Sequence, residues 1–304
     1  MPIDAPGCTI SGAVHDRIAV NSTHLHCVSL GTSGSPVLLV HGFPETWWAF
    51  HKVMPLLAER HRVHAVDLRG FGDSDLADGE FDSTVASEDL HQLIAALGEG
   101  PVHLVAQDIS GTTAFRLAAT HPDAIASFTA IELGLPGFGL EAFADVTNGG
   151  AWYFGVMAAP GIPDMLLAGR ETAFVGDYMF PSMCAVADAV DSGDVAEFVR
   201  TYARPGGWNG ATGLYASVLK EGEKIAALAR SGAIRAPVLA IGAGGGPFTE
   251  HTMKQAAPGT DVRSIQIDHV GHYAAMEAPE RVATAIRDFV EEVDTGRVGV
   301  ARRF

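Results

Sequence analysis

Short continuous apolar runs alternate with amphipathic stretches along most of this chain. Apolar runs bounded by turn residues predict strands buried on both faces, and the amphipathic stretches predict covering helices. Together they predict an α/β fold built on a mostly parallel, eight-stranded sheet flanked by helices. Strands are predicted near 8–14, 24–30, 36–40, 62–66, 101–107, 125–131, 236–241 and 262–267. Helices are predicted near 46–59, 82–98, 110–120, 250–256 and 279–293. The first two strands are expected to form an antiparallel edge. From about Leu135 to Leu219 no strand pattern is visible, and the stretch is rich in Gly, Met and aromatic residues. It predicts an inserted helical cap, which divides the chain into a core (1–134), a cap (135–219) and the rest of the core (220–304). Met and aromatic residues at helical spacing mostly serve packing.

Composition narrows the setting. The chain has 304 residues, 47% of them hydrophobic and 18% charged, enough for one large core with an insertion. A net charge of -16 argues against nucleic acid and anionic membranes as partners. Met1 to Pro6 lacks the basic and apolar regions of a signal peptide, and no apolar stretch reaches transmembrane length. Cys8, Cys27 and Cys184 are few, odd in number and far apart, so they read as free thiols of a reducing compartment. A cytoplasmic location is the expectation. Arg302-Arg303 forms a short basic tail of no evident meaning.

The segment Val102 to Gly111 carries the candidate chemistry. An apolar run ends in Ala106-Gln107-Asp108-Ile109-Ser110-Gly111, and a helical pattern follows. Small residues flanking one exposed side chain predict a nucleophile elbow, a sharp strand-to-helix turn above the end of a sheet. The residue it presents is Asp108, where most elbows hold Ser. A carboxylate nucleophile forms an ester with a carbon electrophile, which suits a strained or activated alkyl carbon and suits peptide hydrolysis poorly. Taken alone, Asp108 also fits an ordinary helix N-cap.

A nucleophile of this kind needs an oxyanion hole, a base for water and a group that orients the base. A strand runs directly into His41-Gly42-Phe43-Pro44, and this turn is predicted to aim the Phe43 N–H at the elbow, where Ile109 supplies a second N–H. The base is predicted to be His272, in a loop after the last strand and ahead of the final helix. His269 lacks the preceding Gly and reads as a surface or supporting residue. His24 and His26 share a strand face and, like His61 and His64, read as solvated or packed histidines, since no ligand cluster surrounds them. No metal or cofactor is expected. The loop Gly242-Ala243-Gly244-Gly245-Gly246 holds no carboxylate, so the orienting acid is expected to be Glu132, at the carboxyl end of its strand. A lone Glu in an apolar run is costly unless paired, and His272 is the expected partner.

These residues resemble the epoxide hydrolases of the α/β-hydrolase superfamily, over nearly the whole chain. The matches are His41 to Trp47, Asp67-Leu68-Arg69-Gly70-Phe71-Gly72-Asp73-Ser74, the elbow with Asp108, Glu132 before Leu-Gly-Leu-Pro-Gly, Leu166 to Glu171, and Gly271-His272-Tyr273 followed by Met276-Glu277-Ala278-Pro279-Glu280. The resemblance implies the α/β-hydrolase fold and opening of an epoxide to a vicinal diol through an Asp108 ester. It also implies two cap tyrosines that hydrogen-bond the epoxide oxygen, matched by Tyr153 and Tyr215, with Tyr202 as the alternative to Tyr215. His41, Pro44, Trp47 and Trp152 are expected around the substrate. The chain departs from the family at Ala216, where Arg is usual, and at Ala106-Gln107, where Gly-His is common. Expected partners are a small-molecule epoxide and water, with a homodimer left open.

Two other functions remain open. A dehalogenase uses the same ester mechanism, but haloalkane dehalogenases place Trp at the position of Ile109, and fluoroacetate dehalogenases place Arg at the positions of Ile109 and Thr112. Trp152 is the residue here that could touch a halide. A small-molecule binder that kept the fold and lost catalysis is the second alternative.

Overall fold

The computed structural model describes residues 1–298, so the Arg302-Arg303 tail lies outside the described residues. Nine strands form one sheet: β1 (Pro2–Ile3), β2 (Val14–Val20), β3 (Thr23–Leu30), β4 (Pro36–Val40), β5 (Arg62–Val66), β6 (Val102–Gln107), β7 (Ile125–Ile131), β8 (Val238–Gly242) and β9 (Val262–Gln266). Their order is β1-β2-β3-β5-β4-β6-β7-β8-β9. The β1, β2, β3 and β5 neighbours pair antiparallel, and the remaining pairs are parallel. This is the α/β-hydrolase architecture, with the expected antiparallel edge and one additional two-residue strand.

The strand expected at 8–14 stands instead at Val14–Val20. The apolar run before it is broken by a turn at Ser11-Gly12, where Gly12 has a φ of 79°. The strand itself carries His15, Asp16 and Arg17, which hide its period. The helix expected over 46–59 is a 3₁₀ turn (Trp47–Phe50) followed by α1 (Met54–Ala58), because Pro55 fits the first turn of a helix and not its interior. The other helices of the sheet layers are α2 (Ser83–Leu97), α3 (Gly111–Thr120), α11 (Phe248–Ala256), α12 (Ala274–Glu277) and α13 (Pro279–Asp294). Between β7 and β8 the chain makes a long excursion with α4 (Tyr153–Met157), α5 (Ile162–Leu167), α6 (Glu171–Phe174), α7 (Phe180–Met183), α8 (Ser192–Tyr202), α9 (Asn209–Lys220) and α10 (Gly222–Arg230), and with no strand. No helix among the described residues is long and apolar enough to cross a membrane.

Strand register positions the site. Val40 of β4 is level with Ala106 of β6, Gln107 of β6 with Ile131 of β7, and Ile131 with Ile241 of β8. The residues that follow, His41, Asp108, Glu132 and Gly242, therefore leave the sheet along one carboxyl edge, where active sites of open α/β sheets gather. Beneath them, every residue of β4, β6 and β8 is buried. Leu38 is fully buried in the centre of this layer, so Leu38→Ala is expected to cost about 2–5 kcal/mol. Urea unfolding should show a lower midpoint at unchanged slope.

Candidate active site

β6 ends in a 3₁₀ turn (Asp108–Ser110) that leads into α3, and Asp108 sits there with a φ of 53°. A non-glycine residue in the left-handed region is uncommon and is held only by its surroundings. Here the Ser110 hydroxyl closes the turn on the Gln107 carbonyl at 2.7 Å. The neighbouring glycines give clearance. A Cβ at Gly42 would lie 2.6 Å from the Asp108 Cβ, and one at Gly111 would lie 2.9 Å from the Leu133 Cβ. Asp108 is thus presented as an elbow residue rather than as an ordinary N-cap, and α3 has no side-chain cap.

Three expected residues converge on it. The Phe43 N–H donates to Asp108 Oδ2 at 2.9 Å. His272 Nε2 lies 3.4 Å from Asp108 Oδ1, and its Nδ1 lies 3.3 Å from Glu132 Oε2. Burial alone would lower the His272 pKa, but the flanking Asp108 and Glu132 carboxylates outweigh it and push the ring up to about 10. Glu132 has a φ of 46°, so it too turns out of its strand end. The glycine-rich loop after β8 supplies the Ala243 N–H to Glu132 Oε1 and the Gly245 N–H to Oε2, the latter at 2.8 Å. A loop without a carboxylate therefore holds the carboxylate of the strand beside it. Ile109, whose N–H follows Asp108, is buried.

The tyrosines face this centre from the excursion. Tyr153 opens α4 and Tyr215 lies within α9, their rings meeting edge to face with centroids 6.1 Å apart. Burial first, and the nearby Asp108 charge among the other causes, raise both phenols above their usual value, so both keep their protons. Tyr215 also packs edge-on against Phe43, at 5.2 Å. Tyr202 also packs edge-on against Phe43, at 6.1 Å, and in addition stacks on Trp208 at 4.3 Å and packs edge-on against Phe71. The ring of Tyr153 meets that of Tyr215, while the charge of Asp108 reaches the phenols of both Tyr215 and Tyr202.

The expected substrate-contacting residues are spread more widely. His41 is fully buried, donates from Nδ1 to the Gly42 carbonyl at 2.8 Å and accepts the Leu68 N–H at Nε2, so it braces the turn that carries Phe43. Pro44 follows Phe43 through a cis peptide bond. Trp47 is buried with its ring edge-on to His15 and Trp48. Trp152 is 45% exposed, and its indole N–H donates to the Tyr178 hydroxyl at 2.7 Å. His269 is exposed. His24 pairs with Asp75 at the surface, whereas His26 is buried against Asp67. A cavity of about 500 Å³ between the 77–82 loop and α9 has none of Asp108, Glu132 and His272 in its lining.

Two carboxylates were not anticipated as parts of the site. Glu45 lies wholly buried, accepts the Gly42 N–H at 3.0 Å and takes the Gln107 amide on both oxygens at 2.9 Å. The departure at Gln107 thus acquires a partner. Burial, reinforced by the charge of Asp108, pushes the Glu45 pKa up to about 8. The signal was present in the sequence, as an acid inside the run His41 to Trp48. Glu277 is the second. Its Oε2 accepts the N–H groups of Gly271 (2.9 Å), Ala185 (2.7 Å) and Val186 (2.9 Å), and its Oε1 accepts that of Tyr273 (3.1 Å). With the His272 N–H on the Met183 carbonyl at 2.9 Å, this ties the histidine loop to the segment after α7.

The chain belongs to the alpha/beta hydrolase fold family, whose model matches residues 35–279. It is similar to the soluble epoxide hydrolase of Corynebacterium sp. (strain C12), at 27% identity over 294 residues covering 90% of this chain and 96% of that one. It is similar at nearly the same level to the fluoroacetate dehalogenase of Burkholderia sp, at 26% over 302 residues, covering 94% and 96%. Among solved structures, Cfl2 from Burkholderia cenocepacia matches with a TM-score of 0.84 at 29% identity, over 92% of this chain and 96% of that one. The chain is a hydrolase by family.

Glu45 gives a test of the electrostatics. Its folded pKa is raised from an ordinary 4.5 to about 8. Its contribution to stability is therefore fully present below pH 4.5 and lost as pH rises through 8. Glu45→Gln mimics the protonated acid and lacks that loss. Urea unfolding at pH 5 and pH 9 should show the wild type falling behind the variant by on the order of a few kcal/mol. Parallel pH profiles would mean that Glu45 is not protonated in the fold.

Proposed function

We propose that this chain hydrolyses an epoxide to a vicinal diol through a covalent ester on Asp108. The observation that carries the reading is the disposition of the two Asp108 oxygens, Oδ2 on the Phe43 N–H and Oδ1 toward His272. On this reading Oδ1 attacks an epoxide carbon, the C–O bond of the ring breaks, and Tyr153 and Tyr215 donate hydrogen bonds to the oxygen that leaves. Oδ2 becomes the ester carbonyl oxygen without moving. When water adds to the ester carbon, the oxyanion forms on Oδ2, where the Phe43 N–H already points, with the Ile109 N–H as the second donor.

The proton inventory supports the same order of steps. In the free protein His272 stands between two carboxylates and carries a proton. Esterification discharges Asp108 and removes one of the two groups that hold the His272 pKa up. The imidazole can then give up its proton, by way of solvent, to the alkoxide left by ring opening and serve as the base for water, with Glu132 fixing its tautomer and stabilising the imidazolium that returns. The partners on this reading are an epoxide and water, in the cytoplasm.

The dehalogenase reading rests on the relative from Burkholderia sp. Against it, Ile109 and Thr112 stand where a carboxylate-binding arginine pair would be needed, and the Trp152 N–H is engaged by Tyr178. Incubation with styrene oxide, fluoroacetate and a chloroalkane distinguishes the readings: diol supports the first, halide release the second, and binding without turnover a non-catalytic binder.

A single turnover in heavy-oxygen water should yield a first diol with ordinary oxygen, drawn from Asp108; heavy oxygen in that first product would mean direct attack by water. His272→Gln should take up about one equivalent of epoxide and stall, with added mass on the peptide containing Asp108. Steady turnover by this variant would remove His272 from the mechanism. Tyr153→Phe and Tyr215→Phe should each slow alkylation, by as much as the roughly 10²–10⁴ typical of a positioned acid, with the double variant nearly inactive. Near-normal alkylation in a folded double variant would reduce both to packing.

A further inference from the structure

A second hydroxyl-imidazole-carboxylate chain lies at the antiparallel edge of the sheet, apart from Asp108. The Thr9 hydroxyl is 2.8 Å from His15 Nε2, His15 Nδ1 is 2.9 Å from His26 Nε2, and His26 Nδ1 is 2.7 Å from Asp67 Oδ2. Both imidazoles are buried, stacked with centroids 5.1 Å apart, and held edge-on by the Trp47 ring. Asp67 is fully buried and also accepts the N–H groups of Trp47 (2.7 Å) and Asp73 (2.9 Å). Burial tends to raise its pKa, but the His26 hydrogen bond, with smaller help from His41 and Trp47, outweighs this and holds it below the usual range.

An ionised carboxylate accepts only, and this sets the direction of the chain. With both rings neutral, His26 must donate from Nδ1 to Asp67, which leaves its Nε2 as an acceptor. His15 then donates from Nδ1 to His26, which leaves its own Nε2 as an acceptor for the Thr9 O–H. Burial, the largest cause, keeps the His15 pKa below the ordinary imidazole value, so this ring is a base at neutral pH. The hydroxyl end opens to solvent: Thr9 is exposed, and Thr9 and His15 both line a cavity of about 480 Å³ with Ile3, Ala5, Ile10 and Ser11. A nucleophile on a base, with the base oriented by a third group, is the arrangement that activates a hydroxyl.

We propose that Thr9 is a second nucleophilic site, activated by His15 and oriented through His26 and Asp67, which accepts an acyl group from an activated ester. In that step a bond forms between Thr9 Oγ1 and the acyl carbon, and the bond from that carbon to the leaving oxygen breaks. The hydroxyl proton passes to His15 Nε2 and from there to the leaving group. Neither redox chemistry nor a metal is required. Cys8 is adjacent and exposed, but burial and the Glu197 carboxylate raise its thiol pKa, so it is a poor competitor at neutral pH.

p-Nitrophenyl acetate tests this in the full-length Asp108→Asn protein, which removes the ester-forming carboxylate of the main site. One acetyl group is expected on the peptide containing Thr9, located by fragmentation, with release of one equivalent of nitrophenolate. Thr9→Val should abolish the label and Thr9→Ser should keep it. His15→Gln should slow labelling by about 100-fold or more, the usual contribution of a positioned base. His26→Asn, with folding checked by circular dichroism, provides an independent variant and should slow it as well. Acetylation at Cys8 or lysines only, or labelling of Thr9 at the same rate in folded His15→Gln, overturns the proposal.

Discussion

One imidazole held between two carboxylates sets the terms for everything around it. Bringing Asp108 and Glu132 to His272 concentrates negative charge at the carboxyl edge of a buried sheet, and each neighbour answers that charge differently. The His272 pKa is pushed up to about 10, Glu132 is met by two backbone N–H groups, the Glu45 pKa is pushed up to about 8, and the phenols of Tyr153 and Tyr215 are raised above their usual value. A buried carboxylate left without one of these answers would cost several kcal/mol. The same arrangement means that loss of one negative charge, on Asp108, changes the proton affinity of the whole group.

The parts of the fold that could be read from sequence are those where local pattern and tertiary position agree. The buried strands from Pro36 to Ile131 are apolar over most of their length, and their ends fall close to the expected positions. The β2 strand was hidden because its buried His15 is bonded to Thr9 and His26 and its half-buried Asp16 pairs with the Met1 amino group, so polar residues stand where an apolar period was expected. Asp108, His272 and Phe43 were legible because each sits in a turn with its own small-residue signature. Glu132 was found by elimination, from a glycine loop that lacked an acid. What elimination did not reveal is that the same loop grips Glu132 through Ala243 and Gly245, because backbone N–H groups leave no mark on a sequence.

Other contacts were out of reach for a related reason. Glu45 reads as an ordinary loop acid until the β4–β6 register brings the segment after β4 beside Gln107. Trp47 sits in a motif that suggests the substrate, yet its ring locks His15 and His26 on the far side of β4 from the elbow. The choice between Tyr215 and Tyr202 depended on helix orientation, which periodicity in an aromatic-rich stretch does not supply.

Glu277 links two parts of the molecule that are far apart in the chain. Its carboxylate holds the loop that carries His272 and, with the same oxygen, the backbone at Ala185 and Val186. An excursion that swings away to admit a ligand must either surrender those bonds or pull the histidine loop with it. The position of the excursion and the position of the His272 loop are therefore coupled through a single carboxylate.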